Sequence, residues 1–240
     1  MLSGEGATDI GDKDTPGPMA YIVDRLIEKR IDYSLLENET LGADCVMFVG
    51  ESDLARQGKV GPMLFPGLKQ GKGQKFFARS AQILGQLAKS EQERTRAPVI
   101  AVFFRDADGT RTRDEWSEKC ESMVLGFKLA EFGTGVPMVP RPKSEAWLLC
   151  ALLEPPYEQC EKLEDVSGND ASPNSPKKQL EALLGEYPPA EKQIEFIRSG
   201  RIDPTRIEMP SFSRFRDSLQ AALDIALSRK TQIPASDCCF

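Results

Sequence analysis

Apolar positions along this chain fall into short unbroken runs and into longer segments where they recur every three or four residues. The strongest run is Pro98 to Phe104 (Pro-Val-Ile-Ala-Val-Phe-Phe). It is apolar on both faces, the pattern of a central strand in a parallel sheet. Shorter runs at Cys45–Gly50 and Val136–Val139 predict two further strands, and Met1–Gly4 reads as the end of a first one. Helical spacing is found over Pro18–Lys29, with proline in the first turn, and over Phe76–Ala88, whose apolar side is Phe76, Phe77, Ile83, Leu84 and Leu87. Helices are also predicted for Thr112–Leu129, Glu145–Leu153, Lys177–Leu184, Ala190–Ile197 and Phe212–Leu227, with Ser144 as a suitable N-cap and Phe212 and Phe215 as core.

Strands alternating with helices imply an α/β fold with a mostly parallel, Rossmann-like sheet flanked by helices. The expected division is an α/β core over 1–154, a helical C-terminal extension over 155–230 packed on it, and a loose tail over 231–240. Gly6–Pro18 and Pro155–Pro176 are rich in Gly, Pro, Asp, Asn or Ser and read as loops. Asn38–Gly73 has no assigned element, and no internal repeat is visible.

Composition narrows the chemistry. Hydrophobic residues are 40% of the 240, so a substantial core is available. No apolar run approaches the roughly 18 residues of a membrane span, and no signal peptide is visible, so a cytoplasmic protein without membrane partners is expected. The six cysteines are scattered without a C-x-x-C pair, which argues against a zinc cluster and against a disulfide framework. Cys238-Cys239 is not a prenylation signal, because Asp237 stands where that signal needs cysteine. Histidine is absent, which excludes Ser-His-Asp triads, Cys-His dyads and H-E-x-x-H sites. Proton transfer must use carboxylates, lysine, tyrosine or metal-bound water. The net charge of −6 disfavours a nucleic-acid coat protein without excluding a nuclease.

Acids cluster where strands end. Asp106 and Asp108 follow the strongest strand and lie two apart, so on an extended backbone both face one way, and Gly109 permits a sharp turn after them. Such a pair suits Mg²⁺, which takes a few carboxylates plus waters. Glu5 lies between two glycines after the first strand, with Asp9 four residues on. Glu145 follows the last strand and begins a helix, where the macrodipole alone favours an acid. Arg141 and Lys143 precede it and are placed to meet a phosphate. Lys69, Lys72 and Lys75 form a basic loop that is not a P-loop but suits phosphate contacts. Lys177-Lys178 is a second small basic site.

Together these residues resemble the Toprim fold, the metal-binding domain of topoisomerases, primases and overcoming-lysogenization-defect (OLD) nucleases, in which a Glu follows the first strand and an Asp-x-Asp a later one. A closer resemblance is to a bacterial group of OLD-related Toprim-like proteins. The likeness lies in Glu5-Gly6-Ala7-Thr8-Asp9, Asp106-Ala107-Asp108-Gly109, Glu145 to Leu149, Pro176 to Glu181 and Ser211 to Phe215, in that order. The resemblance implies Glu5, Asp9, Asp106, Asp108 and Glu145 as ligands of two Mg²⁺ or Mn²⁺ ions. It also implies that Lys177 or Lys178 reaches the scissile phosphate. Such proteins tend to sit beside ATPases in phage-defence systems.

The expected function is therefore divalent-metal-dependent endonuclease cleavage of DNA or RNA, as an anti-phage effector. In that chemistry two ions about 4 Å apart activate water and stabilise the leaving oxygen, so histidine is not needed. Two alternatives stand beside it. Asp106-Ala107-Asp108-Gly109-Thr110 matches the haloacid-dehalogenase phosphatase motif, with Asp106 as nucleophile and Asp108 as acid/base, although that leaves Glu5 and Glu145 unexplained. The other is a non-catalytic module docked to a partner ATPase.

Overall fold

The computed structural model describes residues 1–3, 8–9, 12–38, 45–50, 53–54, 72–107 and 112–230, with only the backbone for 8–9, 12–14, 72–73 and 229–230. Its centre is a four-stranded, all-parallel sheet in the order β4-β1-β5-β6. The strands are β1 (Leu2–Ser3), β4 (Phe48–Val49), β5 (Ala101–Phe104) and β6 (Gly135–Met138). The register sets Leu2 beside Phe48 and Val102, and Val102 beside Val136. The helices are α1 (Pro18–Ile31), α2 (Lys72–Thr95), α3 (Arg113–Leu129), α4 (Ser144–Leu152), α5 (Pro176–Leu184), α6 (Ala190–Arg198) and α7 (Pro210–Lys230). None of them is long and apolar enough to cross a membrane among the described residues.

The two-residue alternation of β5 divides the core into two layers. Val102 and Phe104 join the cluster containing Ile22 of α1, Trp147 of α4, Leu180 of α5, Ile197 of α6 and Phe212 of α7. Ala101 and Phe103 join the cluster containing Leu84 of α2 and Met123 and Phe127 of α3. The chain is thus an α/β protein whose parallel sheet carries helices on both faces, and the expected burial of Pro98–Phe104 on both sides is found for its four ladder residues.

Local signals explain most helix ends. Thr112 caps α3 reciprocally: its hydroxyl accepts the Glu115 N–H while the Glu115 carboxylate accepts the Thr112 N–H. Ser175 accepts the Lys178 N–H ahead of Pro176, and α5 stops at Gly185, whose φ of 84° suits glycine.

Four expectations are corrected. Gly6–Pro18 is not all loop: β2 (Thr8–Asp9) and β3 (Asp12–Pro16) pair as an antiparallel hairpin. Its strands are set by main-chain pairing, and Asp-Lys-Asp-Thr-Pro shows no apolar period. The charged segment after Ala88 continues α2 to Thr95, because its Lys, Glu, Gln and Arg are good helix formers on a solvent face. Pro155–Pro176 holds a 3₁₀ turn over Cys160–Asp165.

The fourth concerns cysteine. Cys150 of α4 and Cys160 of that turn form a disulfide with Cα atoms 5.2 Å apart. Their ten-residue spacing matches no motif; only the reversal of the chain after α4 brings them together. Alkylation of the denatured, unreduced protein is expected to leave the Cys150 and Cys160 peptides linked until a reductant is added. Cys150→Ala with Cys160→Ala should cost about 2–3 kcal/mol, the chain-entropy value for so short a loop, measured by urea unfolding. Free alkylation of both thiols without reductant would refute the pairing.

Candidate functional site

Strands of a parallel sheet end on a common edge, and α/β proteins place their ligands at the carboxyl edge. Here that edge is built from the segments following β5 and β6. Main-chain bonds hold them side by side: Arg105 N–H to Met138 O at 2.9 Å and Ala107 N–H to Pro140 O at 3.1 Å. Asp106 therefore lies next to the start of α4, and its Oδ1 accepts the Ser144 N–H at 2.9 Å. This corrects the expected cap. Ser144 is the first helical residue, the side chain of Lys143 at the N-cap position caps no helix N–H, and the carboxylate of the neighbouring segment takes the open N–H instead.

Glu145 is the next residue. Its Oε1 accepts the Tyr187 hydroxyl at 3.2 Å, and the Gln193 amide donates to that same hydroxyl oxygen at 3.4 Å. Its Oε2 is buried and has no hydrogen-bond partner among the described residues. Burial, and then the nearby Glu145 carboxylate, push the Tyr187 phenol far above its usual pKa. Tyr187 thus stays protonated and remains a donor to Glu145.

Three cations of these segments are each held by an acid. Lys143 Nζ lies 2.9 Å from Asp170 Oδ1, and Lys177 Nζ lies 3.5 Å from Asp170 Oδ2 and 5.0 Å from the centre of the Tyr187 ring. The Lys143 hydrogen bond, working against partial burial, keeps the Asp170 carboxyl below its ordinary range. Arg141 pairs with Asp165 at 3.2 Å and with Glu164 at 3.8 Å. Glu164 is itself buried and accepts the Ser211 N–H at 2.6 Å, which ties the edge to the start of α7.

The predicted residues divide into three groups. Asp106, Glu145, Arg141, Lys143 and Lys177 are brought to one edge. Lys178 is paired with Glu181 on an exposed helix face, and Lys75 is exposed on the first turn of α2. Glu5, Asp108 and Lys69 lie outside the described residues, and Asp9 in β2 and Lys72 in α2 are described by backbone only. Among the described residues no three His, Cys, Asp or Glu side chains are grouped to hold a metal ion. Tyr187, Gln193 and Asp170 escape a reading of the sequence, because a tyrosine before two prolines and an aspartate in a polar loop carry no periodic signal.

A cavity of about 470 Å³ opens elsewhere, between α1, the last turns of α2 and α7 and the amino ends of β1 and β5. It is mainly apolar and contains none of the predicted site residues. Comparison of the chain with protein-family models, curated proteins and solved structures gives no match.

Proposed function

We propose that the carboxyl edge of the sheet is the active site of a divalent-metal-dependent nuclease, of the Toprim type that the sequence resembles. One observation carries this reading: the buried Oε2 of Glu145, without a hydrogen-bond partner among the described residues, on the residue that follows the Ser144 N–H bound by Asp106. The start of α4 accounts for a carboxylate accepting the Ser144 N–H, and the macrodipole accounts for an acid at position 145. Neither accounts for a carboxylate oxygen removed from water with nothing to bond, an arrangement costing on the order of 1–3 kcal/mol or more. A hard cation would satisfy it, and oxygen donors such as Asp106 and Glu145 fit Mg²⁺ or Mn²⁺.

In this reading Asp106 and Glu145, with Glu5, Asp9 and Asp108, would hold two ions, which would supply a nucleophile at neutral pH and a counter-charge for the leaving oxygen. The chain's own residues do the rest. Tyr187 orients Glu145 by donating to Oε1, which leaves Oε2 toward the cation. Arg141, Lys143 and Lys177 bring positive charge to the edge where a phosphodiester would lie, and their acid partners hold them in place before substrate arrives. An anti-phage role beside a partner ATPase is part of the same proposal.

The test is cleavage of plasmid, single-stranded DNA and tRNA with Mn²⁺ or Mg²⁺. Cleavage is expected from the wild type. Asp106→Ala with Asp108→Ala should lower it by about a thousandfold or more, the scale of losing several kcal/mol of metal-borne stabilisation. Intact nucleic acid with hydrolysis of a phosphomonoester through Asp106 would instead establish the phosphatase. Inactivity toward both, with the metal bound, would favour the non-catalytic module.

A further inference from the structure

Phe76 falls on the apolar side of its helix by periodicity, yet it is 46% exposed. Single exposed apolar residues are ordinary, and Tyr33, Met47 and Ile225 are comparably open. Phe76 differs in its surroundings. It lies in the first turns of α2, at the end of the helix that reaches the carboxyl edge of β5. The Arg105 guanidinium carbon lies over its ring, 5.3 Å from the centroid, and Arg105 immediately precedes Asp106. Phe77 meets Phe76 edge-on at 5.6 Å between ring centres, and Lys119 Nζ lies 5.2 Å from the Phe77 ring. Lys75, next in the chain, is exposed. A flat aromatic surface, steadied by a second ring and bordered by cations, thus lies against Arg105, the residue before the carboxylate proposed to act on phosphodiesters.

We propose that Phe76 and Arg105 form a stacking platform for an unpaired nucleobase, so that the strand delivered to Asp106 is single-stranded or locally open. This rests on the nuclease reading of the edge. The preference follows from the geometry of bases. In a duplex both faces of each base are covered by neighbours, so an aromatic ring gains nothing without unstacking them. In a single strand a face is available, and stacking is sequence-tolerant because every base has one. Arg105 adds a cation facing the same π surface, and Lys75 adds charge for the backbone that passes it.

The experiment separates this proposal from the nuclease reading by measuring binding without divalent metal. A labelled single strand of about 15 nucleotides and its duplex are titrated in EDTA by fluorescence anisotropy, using wild type, Phe76→Ala, Phe76→Leu and Phe76→Trp. The wild type should prefer the single strand. Phe76→Ala and Phe76→Leu should each weaken single-strand binding by about tenfold, within the range for one base–aromatic contact, and leave duplex binding unchanged. Phe76→Trp should retain affinity, and its indole emission should be quenched by the strand; the native Trp116 and Trp147 are both buried and serve as background. Thermal melting of each variant should match the wild type, since the ring is largely outside the core. Equal binding by Phe76→Leu and wild type, an unquenched Phe76→Trp, or no single-strand preference in the wild type would each overturn the platform. Single-strand binding that follows this pattern without cleavage in Mn²⁺ would overturn the nuclease reading alone. Cleavage with Phe76-independent binding would overturn the platform alone.

Discussion

Trp147→Ala is expected to destabilise the protein by about 3–5 kcal/mol, the range for removing a large buried aromatic. At this chain length that corresponds to a fall in melting temperature on the order of 10 °C. Trp147 is fully buried in α4, two residues beyond Glu145. Its ring meets Phe212 edge-on at 4.8 Å and stacks on Phe215 at 5.8 Å, and its indole N–H donates to Ser211 Oγ at 2.9 Å. The substitution therefore removes the packing between α4 and α7 and a hydrogen bond together. Trp147→Phe keeps most of the volume and loses the N–H, so it should cost only about 1–2 kcal/mol. Calorimetry on the two variants separates the contributions. A loss below about 1 kcal/mol for Trp147→Ala would mean that α7 does not pack on α4 as described.

Gly126→Ala should be destabilising where helix propensity alone predicts the reverse. In an exposed helix interior alanine is favoured over glycine by about 1 kcal/mol. Gly126 is instead a point of close contact between α3 and α2. A Cβ there would lie 2.2 Å from the Ala78 carbonyl oxygen, 2.8 Å from Ala81 Cβ and 2.9 Å from the Gln82 amide nitrogen. Two of those contacts are backbone, so no side-chain rotation relieves them and the helices must separate. The layer they share contains Leu84, Met123 and Phe127, whose packing loosens with that separation. Overpacking of this kind costs about 1–3 kcal/mol, and backbone collisions place Gly126→Ala at the upper end even after the propensity gain. Urea midpoints of the variant and wild type give the sign directly. A stabilised variant would show that α2 and α3 are further apart than 126 and 78 require.

Much of the architecture was legible because it is written in short-range patterns. The unbroken run before Arg105 marks a strand covered on both faces, and three-to-four spacing marks the helices that cover it. The predicted start at Thr112 holds, while the caps at Ser175 and Gly185 come from the structure and the expected cap at Ser144 does not hold. The elements that escaped have no side-chain period. The β2–β3 hairpin consists of polar residues held by main-chain bonds, and the second half of α2 presents charged residues to water. The site was legible only in part for a related reason. Asp106, Glu145, Arg141, Lys143 and Lys177 stand out by their position at element ends. Tyr187, Gln193 and Asp170 act on them from segments 27 to 48 residues beyond Glu145 or Lys143, by contacts that only packing creates.

What the sequence determined by itself is the α/β class, the central strand, the absence of histidine chemistry and the gathering of acids at strand ends. Each is a local property of residue type and spacing, and none depends on how the chain closes. Only the tertiary structure decided that Asp106 caps the helix of Glu145, that one Glu145 oxygen is bonded and the other is not, and that Cys150 meets Cys160. It also decided that Phe76 stays open to solvent beside Arg105. These are relations between residues distant in the chain, and the amphipathic spacing that buries a helix face does not say which of its rings the neighbouring element will leave uncovered.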